Sequence, residues 1–98
     1  MPYLFLDSET GIDNRDALGN RNLIKPGGLH WTAAGKGVVH EEVPAEPGKT
    51  VHMLQIFINL PQERQADAPF ALSLEAQDVP VVRLPGVKVR VPLGSFAE

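Results

Sequence analysis

The sequence predicts a small all-β domain, and three observations carry that reading. Nine glycines and nine prolines cut 98 residues into short pieces, the rhythm of turns between short strands. The pieces between them are rich in Val, Ile and Leu, and β-branched residues favour strands. The longest apolar run, VHMLQIFINL at residues 51–60, mixes β-branched and aromatic residues and stops at Pro61. That composition and that stop favour a strand over a helix.

Each element follows in order. Residues 3–6 form a short apolar run. Residues 12–15 read as a strand closed by Asp16-Ala17-Leu18-Gly19-Asn20, a hairpin turn with Gly and Asn available for positive φ. Residues 22–25 run into the turn Pro26-Gly27-Gly28. Residues 29–32 follow, then the Gly35-Lys36-Gly37 turn, then residues 38–43. In residues 51–60, His52, Leu54, Ile56 and Ile58 share one face, and Met53, Gln55, Phe57 and Asn59 the other. Both faces are largely apolar, so this strand is expected to be covered on both sides. Residues 61–69 are a polar connection. Residues 74–78 allow one helical turn before Pro80. Residues 87–91 alternate with Lys88 and Arg90, a half-exposed strand whose charges discourage edge pairing. No repeat, low-complexity tract or linker divides the chain, so residues 1–98 are expected to form one domain.

Composition removes several function classes. The formal charge is -3, with acids and bases interspersed. No Lys/Arg cluster draws the chain to nucleic acid or to an anionic membrane. There is no cysteine, so disulfides and thiolate metal sites are excluded. No apolar stretch is long enough for a membrane-spanning helix, and the N-terminus lacks a secretory pattern. The expected location is the cytoplasm.

Candidate chemistry reduces to a few residues. Ala33-Ala34-Gly35-Lys36-Gly37 lacks the Gly-Lys-Ser/Thr ending of a phosphate loop and reads as a turn. Ser8, Ser73 and Ser95 fall in turn-like or terminal contexts, so serine hydrolysis is set aside. His40 and Glu42 sit two apart in a strand and therefore leave the same face. A neutral imidazole and a carboxylate suit Fe, Mn, Ni, Cu or Zn. Two ligands alone rarely hold a metal. His30 and His52, the other histidines, are the possible additional ligands.

The segment PGGLHWTAAGKGVVHEEVP, residues 26–44, resembles the pirin family of cupins. The family pattern there is Pro-Gly-Asp-x-Gln-Trp-Met-Thr-Ala-Gly-x-Gly-Ile-x-His-Ser-Glu-x-Pro. Pro26, Gly27, Trp31, Ala34, Gly35, Gly37, His40, Glu42 and Pro44 keep it. VHMLQIFINLP at residues 51–61 resembles Leu-His-Gly-x-Gln-Leu-Trp-Val-Asn-Leu-Pro through His52, Gln55, Asn59, Leu60 and Pro61. NRDALGN at residues 14–20 resembles a His-Arg-Asp-Ser-x-Gly-Asn hairpin, and AQDVPVV at residues 76–82 resembles Ala-Glu-Asp-Ile-Pro-Glu-Val.

The resemblance implies a cupin, a double-stranded β-helix rolled into a small barrel, here partial. It implies a metal, typically iron, held in the family by three His and one Glu. His40 and Glu42 match two of those four. The other two come from a His-Pro-His segment that this sequence does not contain, and His30 stands where the family has Gln. The chain also resembles only the middle of a two-domain pirin.

Two functions are expected from this. The first is a pirin-like binding or regulatory module, non-catalytic or vestigial because its metal site is incomplete, holding one divalent metal or none, with a small molecule in the barrel. The alternative is a metal-dependent dioxygenase of quercetinase type, its site completed by other residues or a second chain. In that case Glu42 is the residue placed to take a substrate proton. Open strand edges and apolar faces without a cover further imply a homodimer.

Overall fold

A three-residue strand, β1 (Pro2–Leu4), organises the fold in the computed structural model, which describes residues 1–96. All three of its residues are buried. Its alternation sends Tyr3 to one side and Leu4 to the other, and a separate apolar cluster forms on each. Tyr3 packs with Met1, Leu29 and Val79, extended by Phe5, Trp31, Ile56 and Leu74. Leu4 packs with Ile12 and Ile24, extended by Val51.

The remaining strands are β2 (Ile12–Asp16), β3 (Arg21–Ile24), β4 (Leu29–Ala33), β5 (His40–Pro44), β6 (Met53–Gln55), β7 (Phe70–Leu74), β8 (Val81–Leu84) and β9 (Val87–Arg90). They form three antiparallel sheets: β6-β1-β4-β7, β3-β2-β5 and the β8-β9 hairpin. The structure is therefore all-β, with two single turns of 3-10 helix at Gln62–Arg64 and Ala76–Asp78. The expected turn at residues 74–78 is present but begins later, because Leu74 closes β7. The turn at 62–64 lies in the segment expected to be a plain connection.

The β2–β3 turn is built by its own residues. The Asp16 carboxylate accepts hydrogen bonds from the amides of Leu18 and Asn20 and from the Asn20 side chain. Gly19 takes φ 91°, open to glycine at little cost. Those bonds hold the Asp16 carboxyl below its ordinary value, the Asn20 side-chain bond contributing most. Arg90 is half-exposed, as expected, and its guanidinium is also engaged in the fold. It donates to the Tyr3 hydroxyl and to the Gly27 and Ala76 carbonyls, clasping the β8–β9 hairpin to the main sheet.

The segment at residues 51–60 corrects the expectation of a long, doubly covered strand. Only Met53–Gln55 is strand, paired with β1. The ladder runs on through Met1 and Ile56, whose backbone groups exchange hydrogen bonds of 2.7 and 2.9 Å. Among the described residues, 57–60 pair with no strand. Phe57 is 86% exposed, and Leu54 and Ile58 are exposed as well. The strand covered on both faces is β1 instead. The shell is thin, 45 × 38 × 17 Å, with a radius of gyration of 14.8 Å. A compact domain of this length has a radius near ~13 Å.

Candidate metal and ligand pocket

The register of the β3-β2-β5 sheet stacks its inward side chains in rows. Ile24, Ile12 and Pro44 align as one row, and Asn22, Asn14 and Glu42 as the next. Asp16 and His40 pair one step further on. Alternation brings His40 and Glu42 to one face and leaves Glu41 exposed on the other. His40 and Glu42 both line a cavity of about 530 Å³ together with Trp31, Ile56, Ile58 and Gln55. Its wall is mostly apolar, supplied by β4 and by the unpaired residues after β6.

His40 Nδ1 lies 3.5 Å from Glu42 Oε1, with side-chain exposures of 43% and 17%. The second carboxylate oxygen, Glu42 Oε2, is buried and has no hydrogen-bond partner. Donors that share one ion each sit about 2.0–2.2 Å from it, so they lie no more than about 4.4 Å apart. The pair fits the imidazole and carboxylate halves of a divalent metal site. Among the described residues no group of three His, Cys, Asp or Glu side chains is placed to hold a metal.

The other two histidines are not brought into this cavity. His52 stacks on Phe5 at 4.4 Å, and its Nδ1 lies 2.5 Å from the Asp7 carboxylate. It does not line the pocket. His30 is buried at 2% exposure, with both ring nitrogens engaged. Nε2 lies 3.2 Å from Asn14 Nδ2, and Nδ1 lies 2.6 Å from Ser73 Oγ and 3.3 Å from Asn22 Nδ2. Burial holds the His30 imidazole below its ordinary value, opposed by the charges of Glu42 and Asp16.

Ser73 is thus not in a turn. It lies in β7, directly across from His30. Nothing in local spacing announces this network, since its members are 8, 16, 43 and 51 residues apart. A signal did exist in the alternation of Asn14 with Ile12, which places an amide on the buried face of β2.

The profile of the pirin family matches residues 5–58, more than half of the sequence. This chain belongs to the pirin family. A pirin-like protein from Caulobacter vibrioides is 36% identical over 88 residues, covering 89% of this chain and 32% of that protein. The crystal structure of GK1651 from Geobacillus kaustophilus superposes with a TM-score of 0.83 at 35% identity, over 96% of this chain and 36% of that one. A quercetin 2,3-dioxygenase from Acinetobacter baumannii superposes with a TM-score of 0.85 at 27% identity, over 97% of this chain and 30% of that one. This pirin-family chain spans about a third of the length of the relatives it matches. The cupin fold expected from the motifs is the fold these neighbours share. No helix among the described residues is long and apolar enough to cross a membrane.

Proposed function

We propose that this chain is a pirin-family binding module that holds a small, mostly apolar molecule over the His40–Glu42 pair, without dioxygenase turnover of its own. The donor count carries this reading. Non-haem iron oxygenases hold the metal with at least two His and a carboxylate, leaving positions open for substrate and O₂. Here one His and one carboxylate converge. His40 and Glu42 would hold a divalent ion, iron by the family resemblance, as two of its donors. Such an ion, when bound, polarises an oxygen ligand. The apolar wall of Trp31, Ile56 and Ile58 supplies most of the contact area for a planar ligand. A regulatory role through ligand-dependent partner binding accords with a scaffold kept while donors are missing. A cytoplasmic location suits a chain without cysteine.

A second reading rests on Glu42 Oε2, which is buried without a partner, and on the named activity of the Acinetobacter neighbour. In it a second copy of the chain supplies the missing donors, and Glu42 takes the substrate proton.

Trp31 is the only tryptophan and lines the cavity, so its fluorescence reports occupancy. Titration with quercetin is expected to quench it saturably. Protein given one equivalent of iron is expected to consume no oxygen with quercetin beyond a protein-free control. Sustained oxygen uptake would favour the second reading. Absence of quenching would remove the flavonol as ligand.

A further inference from the structure

We infer that Asn14 is a third donor beside Glu42 and His40, and that the three take one divalent cation of the oxygen-favouring class, such as Mn²⁺. This rests on the reading that His40 and Glu42 are the metal donors of the pocket. Asn14 is fully buried, at 0% exposure. It pairs directly with Glu42 across the β2–β5 ladder, and directly opposed side chains start from Cβ atoms about 4.5–5.5 Å apart. Its amide oxygen, like Glu42 Oε2, is buried without any hydrogen-bond partner.

The Asn14 amide turns its nitrogen toward its neighbours. Asn14 Nδ2 donates to Asn22 Oδ1 at 3.2 Å and faces His30 Nε2 at 3.2 Å. The Asn22 amide is oriented in turn by donating to Ser73 Oγ at 2.6 Å. Rotating the Asn14 amide by half a turn would set its oxygen against Asn22 Oδ1. In this arrangement the Asn14 nitrogen is engaged and its oxygen is left over. Two donor-free oxygens on opposed residues, one of them a carboxylate, are what a cation satisfies, since buried polar atoms are otherwise paired. His40 adds a nitrogen from the next row, 3.5 Å from the other Glu42 oxygen.

An amide oxygen, a carboxylate and one imidazole make a harder donor set than one rich in histidine. Carboxylate, carbonyl and water ligands suit Mg²⁺, Ca²⁺ and Mn²⁺, whereas imidazole suits Zn²⁺, Cu²⁺, Fe and Ni²⁺.

Mn²⁺ binding to the full chain, read from the loss of the free-ion paramagnetic resonance signal, tests the assignment. Circular dichroism of each variant checks folding. The wild-type chain is expected to take up one equivalent. Asn14→Asp keeps the side-chain size and adds charge to the oxygen while giving up the Nδ2 bond to Asn22 Oδ1; the added charge outweighs that bond at the ion, so Mn²⁺ should bind about tenfold tighter. Asn14→Leu removes the oxygen and should weaken binding about tenfold. Where Asn14→Leu fails to fold, Asn14→Asp decides alone. A folded Asn14→Asp with unchanged or weaker Mn²⁺ affinity overturns the inference and leaves a bridging water as the answer to the two oxygens. Absence of Mn²⁺ uptake by the wild-type chain at millimolar ion overturns it too. If His40→Ala and Glu42→Gln leave Mn²⁺ binding intact, the pocket reading beneath it fails. If those two weaken binding while Asn14→Asp does not tighten it, only the role of Asn14 fails.

Discussion

Asn14 and Glu42 oppose one another in the β2–β5 ladder, and each buries an oxygen that receives no hydrogen bond. A buried acceptor left unsatisfied costs about 1–3 kcal/mol. The fold therefore carries a local instability on the face that also presents His40. Such instability recurs where a site is kept ready for a ligand.

Replacing the carboxylate with its amide tests that cost. Glu42→Gln keeps the side-chain shape and offers an N–H₂ group to the neighbouring Asn14 oxygen. Stability is expected to rise by about 1 kcal/mol, read as a higher urea midpoint in the presence of a chelator. A lower midpoint would show that the carboxylate is already satisfied in the folded chain.

His30 makes stability depend on pH. Its folded value is lowered chiefly by burial, while the unfolded imidazole titrates near ~6.5. The unfolded chain therefore takes up a proton first as pH falls. Stability should be full above about pH 6.5 and decline below it, until the folded pKa is passed. Protonation also turns both ring nitrogens into donors, which sets Nε2 against the Asn14 amide N–H₂. Urea midpoints at pH 7.5 and pH 5 measure the decline. His30→Gln, which restores the residue of the family pattern, should flatten it. An equally steep acid decline in that variant would assign it to other groups.

The Gly35 turn positions one wall of the pocket and tolerates no side chain. Its φ is 53°, and an added Cβ would come within 2.1 Å of the Asp67 carbonyl oxygen. That same carbonyl accepts from the Lys36 amide at 2.9 Å, so it cannot move freely. Gly35→Ala should destabilise the chain by at least ~1–3 kcal/mol. Gly37 also has positive φ but meets nothing within 4 Å. Gly37→Ala should therefore cost less than Gly35→Ala. Equal denaturation midpoints for the two variants would mean that the Asp67 loop yields.

The legible parts of the fold were those settled by neighbours in sequence. The β2–β3 hairpin is announced by Asp16 and Gly19, and its bonds are all local. The shared face of His40 and Glu42 follows from strand alternation alone. What stayed hidden depends on distant pairing. Residues 57–60 are as apolar as a core strand, yet no strand among the described residues pairs with them. β7 carries Phe70 and Leu72 on exposed positions and Ser73 against His30, an arrangement opposite to simple patterning. His30 looked like a spare ligand because its satisfied contacts come from three other strands.

The last prediction concerns assembly. Two features of the shell are costly for a lone chain. It is only 17 Å thick, and face-to-face sheets already require about 10 Å between their planes, so little apolar surface can be enclosed. Leu54 in β6 and Phe57 and Ile58 after it are exposed, and among the described residues β6 and β7 end their sheet as open edges. Open edges and contiguous apolar surface are answered by pairing with another chain. A two-fold arrangement would cover the same patch on both copies at once. It would also set a second His40 and Glu42 within one assembly, as the dioxygenase reading needs. Gel filtration with light scattering at tens of micromolar protein is expected to give twice the chain mass of 10.7 kDa. Phe57→Asp, which places a charge at the most exposed aromatic, should shift that mass toward the monomer while leaving the circular dichroism spectrum unchanged. A monomer mass for the wild-type chain would reject the dimer, and with it any site completed by a second copy.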